Sequence, residues 1–255
     1  MTLLWCESFD HYGAVAQMLE GPWAEVTNGT FISAAEGWNL STEQARTGTY
    51  SLRFGPGDTF NTAGISFTVA RRTFGAAKTT VGLGMGIYPE QLPDTNNVAI
   101  IAQLRDAANA PQLTFYLQST GTIACYRGEQ ATLLGTSSGL NLAAGTWNHV
   151  EIKALINNSS PPTGTVEVRV NETTVLNLTG IDTCATSNVE TSQVAWGRYY
   201  NGDGLDNGAI FYDDIFAWDT AGSANNDFIG ALGVQTVYPD ANTATADWTA
   251  NTGNA

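Results

Sequence analysis

The chain has 255 residues, 27 glycines and a formal net charge of −14, from 10 Lys plus Arg against 24 Asp plus Glu. That surplus of carboxylates repels phosphate backbones and argues against direct nucleic-acid binding, and no apolar run reaches the roughly 18 residues a membrane-spanning helix needs. Abundant Thr, Asn, Val and Gly, with no stretch at helical period, predict many short strands in one all-β domain.

In chain order, Leu3 to Phe9 reads as a strand running out into a carboxylate-bearing loop, Glu7 to Asp10. Thr30-Phe31-Ile32 is a short strand, and Gly48 to Phe54 alternates so that Tyr50, Leu52 and Phe54 share a face. Gly64 to Val69 and Thr80 to Tyr88 follow, the second with glycine at 82, 84 and 86. A face of bare glycines lets a backbone or an aromatic ring approach closely. Val98 to Arg105, Leu113 to Gln118 and Ile123 to Arg127 are successive antiparallel strands at the spacing of a sandwich or jelly roll.

The clearest pattern lies between Gly145 and Leu178. Trp147, Val150 and Ile152 precede the turn-rich run Asn157 to Gly164, and Val166, Val168 and Val170 follow it. Asn171 to Thr174 then reverses the chain into Val175 to Leu178, completing a three-stranded meander. Val189 to Tyr199 and Ala209 to Trp218 are late strands around a glycine-rich loop. Phe228 to Tyr238 reads as a final strand after an Asn225 to Asp227 turn, and Pro239 to Ala255 is small and polar. The expected division is a sandwich domain over 1–222 and a C-terminal strand with a polar tail over 223–255, suited to anchoring or oligomer contact.

Cys6, Cys125 and Cys184 are far apart, without CxxC or Cys/His spacing, which predicts buried free thiols. The N-terminal MTLLWCESFDHYG has no basic start and no apolar core of signal-peptide length, so synthesis in a cytoplasm without export is expected.

Trp147 to Ile152, Gly164 to Asn171 and Tyr212-Asp213-Asp214-Ile215, in that order, resemble the concanavalin A-like lectin and laminin-G-like jelly-roll superfamily. Glu172 stands where such proteins commonly carry glycine, which predicts a different turn there. A narrower likeness, through Asn226 to Gly230 and Val237-Tyr238-Pro239, is to laminin-G-like structural proteins of tailed bacteriophages. The fold implied is a two-sheet antiparallel β-sandwich. The function implied is a noncatalytic virion component, a tail fibre, baseplate or capsid decoration, homo-oligomeric, contacting other virion proteins and attaching to host-surface glycans. The runner-up is a secreted bacterial lectin-like carbohydrate-binding module, and a laminarinase-type glycoside hydrolase comes third.

The residues oppose catalysis. Retaining glycosidases need two carboxylates roughly 5 Å apart, and no Glu-x-Asp-x-x-Glu string occurs; Glu151 stands alone, and Glu167 is followed by Arg169. No Gly-x-Ser-x-Gly is present, and His149, one of 2 histidines, reads as a rim or cross-strand contact. The resemblance implies a structural calcium ion between the first and late strands, with Glu7, Asp10 and Asp213 or Asp214 as candidate ligands. Strict alternation places Asp213 and Asp214 on opposite faces, so at most one of the two enters the core side. The competing reading has that carboxylate capping backbone amides of the first strand with no ion. For glycans, exposed aromatics and amides around a loop form a platform, and Tyr199, Tyr200, Asn201, Asp203, Asp206 and Asn207 are such a set.

Overall fold

A computed structural model describes residues 2–14, 17–18, 23–28, 38–55, 66–94, 98–200, 208–222 and 226–234. They form two antiparallel sheets packed as an open jelly-roll sandwich. One sheet has the order Thr173–Ile181 (β13), Gly164–Val170 (β12), Asn148–Leu155 (β11), Thr80–Pro89 (β6), Ile210–Asp219 (β15), Ser51–Phe54 (β4) and Trp38–Ser41 (β3), with Thr2–Glu7 (β1) also paired to β15. The other has the order Thr132–Thr136 (β10), Ile123–Arg127 (β9), Pro111–Leu117 (β8), Val98–Arg105 (β7), Thr191–Tyr200 (β14), Ser66–Lys78 (β5) and Trp23–Asn28 (β2).

The meander forms as its alternation dictates: Val150, Ile152, Val166 and Val168 are buried in the main core beside Leu83, Met85 and Leu113. Trp147 does not join them. It lies three residues before Val150, so period two turns it outward with His149 and Glu151. The strand-like patterns ending at Phe54, Tyr88, Arg105 and Trp218 all lie in strands. Two strands have no sequence signal. In β2 the apolar Trp23 and Val26 are three apart, and in β10 adjacent Leu133 and Leu134 break any alternation, with Leu133 52% exposed. Thr30-Phe31-Ile32 lies outside the described residues.

Asn171 and Glu172 form the two-residue turn between β12 and β13, at φ 47° and 68°. Both residues therefore occupy the left-handed region, where a side chain costs roughly 1–2 kcal/mol relative to glycine. Glu172→Gly is expected to raise stability by about 1 kcal/mol, net of the entropy glycine adds to the unfolded chain, read as a higher midpoint in urea. An unchanged or lower midpoint would show that this turn is not strained.

The expected final strand is corrected over residues 228–234, which pair with no strand among the described residues; 235–238 and the polar tail 239–255 lie outside the described residues. Residues 226–234 lie as an irregular strap across the outer face of the eight-stranded sheet, because carboxylates on that face capture the strap's amides. Glu151 Oε1 accepts from the backbone N–H of Ile229 (2.9 Å) and Gly230 (3.0 Å), and Asp214 Oδ1 accepts from that of Val234 (2.6 Å). Arg46 Nη1 donates to the Leu232 carbonyl at 2.6 Å. Phe228 inserts between Arg169, whose guanidinium carbon is 3.8 Å from the ring centroid, and Trp218 at 6.3 Å. Two N–H donors and His149 hold the Glu151 carboxyl below its ordinary range, overcoming the larger upward push of burial.

Beneath the strap, the glycine face of β6 carries rings. Trp218 lies over Gly82 and Phe216 over Gly84, while Arg46 and Trp147 flank Gly86. His149 is therefore no rim contact. It is buried and stacked on Phe216 at 6.2 Å, with Nε2 3.7 Å from Glu151 Oε2. Cys125 and Cys184 are buried free thiols as expected, and Cys6 is an exposed one.

Candidate functional site

The side of the seven-stranded sheet turned away from the core carries a concentration of polar and aromatic groups. It originates in β7, VAIIAQLR. Its register shifts between Ile100 and Ala102 against β8, and opposite Ala195–Gly197 against β14, so one extra residue bulges the strand. Ile101 and Ala102 both enter the main core, and Ile100, Gln103 and Arg105 come to share the other face. Tyr212 Oη, crossing from the other sheet, donates to the Ile100 carbonyl at 2.6 Å and secures the bulge.

From there a hydrogen-bonded chain runs across the strands. Arg105 Nε donates to Gln103 Oε1 (2.6 Å), Gln103 Nε2 donates to Thr114 Oγ1 (3.0 Å), and Thr114 Oγ1 donates to the Gly128 carbonyl (2.8 Å). Arg105 Nη1 donates to the carbonyl and to Oδ1 of Asn109 at 2.7 and 3.0 Å, which tie the guanidinium to the turn after β7. That turn is fixed by Asp106, which accepts from Ala110 N, Thr186 Oγ1 and Asn188 Nδ2. Beside the chain, Tyr116 and Tyr126 meet edge to face at 5.7 Å, and Tyr116 Oη donates to the Glu129 carbonyl at 3.0 Å. Arg71 faces this group from β5, opposite Ala195.

Burial lowers the Arg105 pKa, and repulsion from Arg71 lowers it further against the attraction of Glu129. The guanidinium remains a cation at neutral pH. Arg71 Nε, Glu129 Oε1 and Gln193 Oε1 are buried with no hydrogen-bond partner among the described residues. Such groups cost stability unless something else satisfies them, and a polar ligand with hydroxyl or carboxyl oxygens has the chemistry to do so.

The residues expected to hold calcium are placed otherwise. Glu7 Oε2 accepts from Arg72 Nη1 (2.9 Å), Trp23 Nε1 (3.2 Å) and Tyr12 Oη (3.2 Å); burial first, and Glu7 second, push Tyr12 up to about 12. Asp10 Oδ1 accepts from the backbone N–H of Thr49 (2.6 Å) and Tyr50 (2.9 Å). Asp213 Oδ2 accepts from the N–H of Arg46 (2.8 Å) and Thr47 (3.2 Å), and Asp214 pairs with Arg46 Nη1 at 2.7 Å. The expectation of opposite faces for Asp213 and Asp214 is corrected. A register shift between Asp213 and Phe216, with Asp214 at φ 49°, sends both carboxylates to the Arg46–Thr47 segment. The amides capped there belong to that segment and not to the first strand. Donors of this kind do not fit calcium, which takes six to eight oxygens, and among the described residues no three His, Cys, Asp or Glu side chains converge on a metal position.

Of the expected glycan platform, Tyr199 and Tyr200 end β14, paired with Phe67 and Ser66 of β5. Asn201, Asp203, Asp206 and Asn207 lie outside the described residues. The Gln103–Arg105 group was legible in one respect: two polar residues at period two inside an otherwise apolar strand, next to Thr114 and Tyr116 at period two in the following one.

No protein-family model matches the chain, and no curated relative matches it. Solved structures do share the fold. The PL-14 alginate lyase from Aplysia kurodai superposes with a TM-score of 0.61 at 11% identity, over 86% of this chain and 99% of that one. An endo-β-1,4-glucuronan lyase from Trichoderma reesei gives 0.59 at 13% identity, over 85% and 95%. A GH131 β-glucanase catalytic domain from Podospora anserina gives 0.56 at 13% identity, over 86% and 96%. These neighbours correct the laminin-G-like, tailed-phage resemblance and the virion role drawn from it. The tail-fibre, baseplate or capsid-decoration reading gives way to a jelly roll shared in fold with these two lyases and this glucanase domain.

Proposed function

We propose that this chain is a carbohydrate-binding jelly-roll module that holds a glycan along the outward face of its seven-stranded sheet, without cleaving it. The observation that carries this reading is the Arg105–Gln103–Thr114 chain lying beside Tyr116 and Tyr126, with Arg71 facing it from β5. Tyr126 and Arg71, both half-buried, are the groups of this face that a sugar's C–H face and its hydroxyl or carboxyl oxygens would meet, and the buried Arg105, Gln103, Thr114 and Tyr116 hold them in place from behind. Of the two carboxylates that act on Arg105, Glu129 and Asp106, the second is held by Ala110, Thr186 and Asn188, whereas hydrolysis at a sugar needs a pair free to act, which supports binding over hydrolysis.

Affinity electrophoresis in gels containing alginate, glucuronan or β-glucan tests this. At least one polysaccharide should retard the protein, and Tyr126→Ala and Arg71→Ala, both at half-buried positions, should each weaken retardation at least tenfold while leaving the melting temperature within a few degrees. Migration unaffected by all three polymers would overturn the reading. Ultraviolet absorbance from an unsaturated uronate product on incubation with alginate would replace binding with elimination.

A further inference from the structure

The outer face of the eight-stranded sheet carries a second cross-strand row that the strap does not cover. Pairing places Tyr88 beside Phe211, Phe211 beside Arg53 and Arg53 beside Asn39, and the step after Asn148↔Ile87 puts Trp147 beside Tyr88. Alternation turns all five away from the core, since Ile87, Ile210, Leu52 and Leu40 supply the inward positions. The Tyr88 ring is 5.6 Å from Trp147 and 6.0 Å from Phe211, and the Arg53 guanidinium carbon lies 5.9 Å from the Phe211 ring. Phe211 is fully buried and supports the row, while Trp147 and Tyr88 are half-exposed.

The polar end of the row is not self-satisfied. Among the described residues Asn39 Oδ1 is buried without a hydrogen-bond partner. Arg53 Nε is 3.2 Å from Glu43 Oε2, an ion pair off the line of a hydrogen bond, and among the described residues it too is buried without a hydrogen-bond partner. The described strap is held one row away, at Arg46, Thr47 and Asp214, and the Arg46 side chain lies over Gly86 next to the Trp147 ring. The row is therefore a stepped aromatic surface that is partly exposed at Trp147 and Tyr88, flanked by Arg46, and ends in a buried amide oxygen and guanidinium nitrogen.

We propose that Trp147 and Tyr88, with Arg53 and Asn39 at the end of their row, form a second glycan-binding strip on the sheet opposite the Arg105 face, taking uncharged sugar rings. A pyranose presents C–H groups on its face and hydroxyls on its edge, which suits two rings in series followed by an acceptor and a cationic donor. A protein partner of ordinary size would need a far broader apolar patch than two half-exposed rings. The net charge of −14 gives a neutral chain an advantage over a polyanion at a strip where Glu43 pairs with the cation.

The probes are cellohexaose and laminarihexaose, with binding followed by tryptophan fluorescence and by retardation in gels of the parent glucans. One of the two should bind the wild type, Trp147→Ala and Tyr88→Ala should each weaken that binding at least tenfold, and Trp147→Phe should weaken it less. Leu133→Ala, at an exposed position on the other sheet, should leave it unchanged. Thermal melts identify any variant that fails to fold, and Tyr88→Ala keeps the test intact if Trp147→Ala does so. The strip is overturned if neither oligosaccharide binds, or if folded Trp147→Ala and Tyr88→Ala bind as the wild type does.

Discussion

Gly84→Ala is expected to destabilise the protein by roughly 3 kcal/mol, the upper end of what one methyl group inserted into a packed site costs. An ideal Cβ at Gly84 would lie closer than 3.0 Å to Phe216 Cζ, and one at Gly82 closer than 3.0 Å to Trp218 Cε2. Neither ring can swing aside. Phe216 is fully buried, stacked between His149 at 6.2 Å and Trp218 at 5.6 Å, and Trp218 in turn meets Phe228 of the strap. A clash with the flexible end of an exposed side chain would relax cheaply; here relief means moving the ring stack or lifting the strap. Chemical unfolding should therefore give a lower midpoint for Gly84→Ala and for Gly82→Ala. The two losses should add incompletely, because both substitutions displace one stack. Phe216→Leu in the Gly84→Ala background should recover part of the loss. A Gly84→Ala variant with the wild-type midpoint would mean that no ring occupies the β6 gutter.

That gutter shows where the sequence was readable. Glycine at 82, 84 and 86 announces by spacing alone that something approaches one face of β6, and rings from β15 do so. The meander was legible for the same reason, since Val166, Val168 and Val170 keep strict period two over a buried face. What escaped is whatever breaks period two. Bulges at Ile100–Ala102 and at Asp213–Phe216 each insert a residue, so the phase counted from one end of the strand is wrong at the other. The first bulge hides that Ile100 shares a face with Gln103 and Arg105, which period two alone puts together; the second upsets the assignment of Asp213 and Asp214 to opposite sides. The strap escaped because its anchors, Glu151 and Asp214, act on main-chain N–H groups, and capture of that kind leaves little trace in the side chains of the captured segment. Phe228-Ile229-Gly230 reads as strand because it is apolar, yet its amides bond to carboxylates instead of a neighbouring backbone.

Asp213 makes the stability of the whole domain depend on pH in a direction opposite to carboxylates that hydrogen bonds and cations hold ionised. Burial, followed by the adjacent Asp214, raises its pKa to about 7, against the lowering effect of the N–H groups of Thr47, Arg46 and Asp214. In the unfolded chain the same group titrates near 4. Between those values the folded protein holds a proton that the unfolded chain has lost, so stability is fully present below about pH 4 and declines as pH rises towards 7. The slope approaches about 1 kcal/mol per pH unit in mid-window, and the curve should flatten above neutrality. Glu151, Asp106, Asp219 and Asp227 have lowered pKa values, so their contributions are lost only on the acid side of that window and set the limb below it. Melting temperature should accordingly be highest on the acidic side of neutrality and fall between pH 5 and 8. Relief of charge repulsion at −14 would produce a similar drift, and Asp213→Asn separates the two. Both Asp213 oxygens accept backbone N–H groups, so an amide nitrogen must face one donor and the variant starts less stable at pH 5. Its deficit should shrink as pH rises to 8, because only the wild type loses the bound proton. Parallel melting curves for the two proteins across that range would show that Asp213 is ionised throughout and that surface charge alone sets the profile.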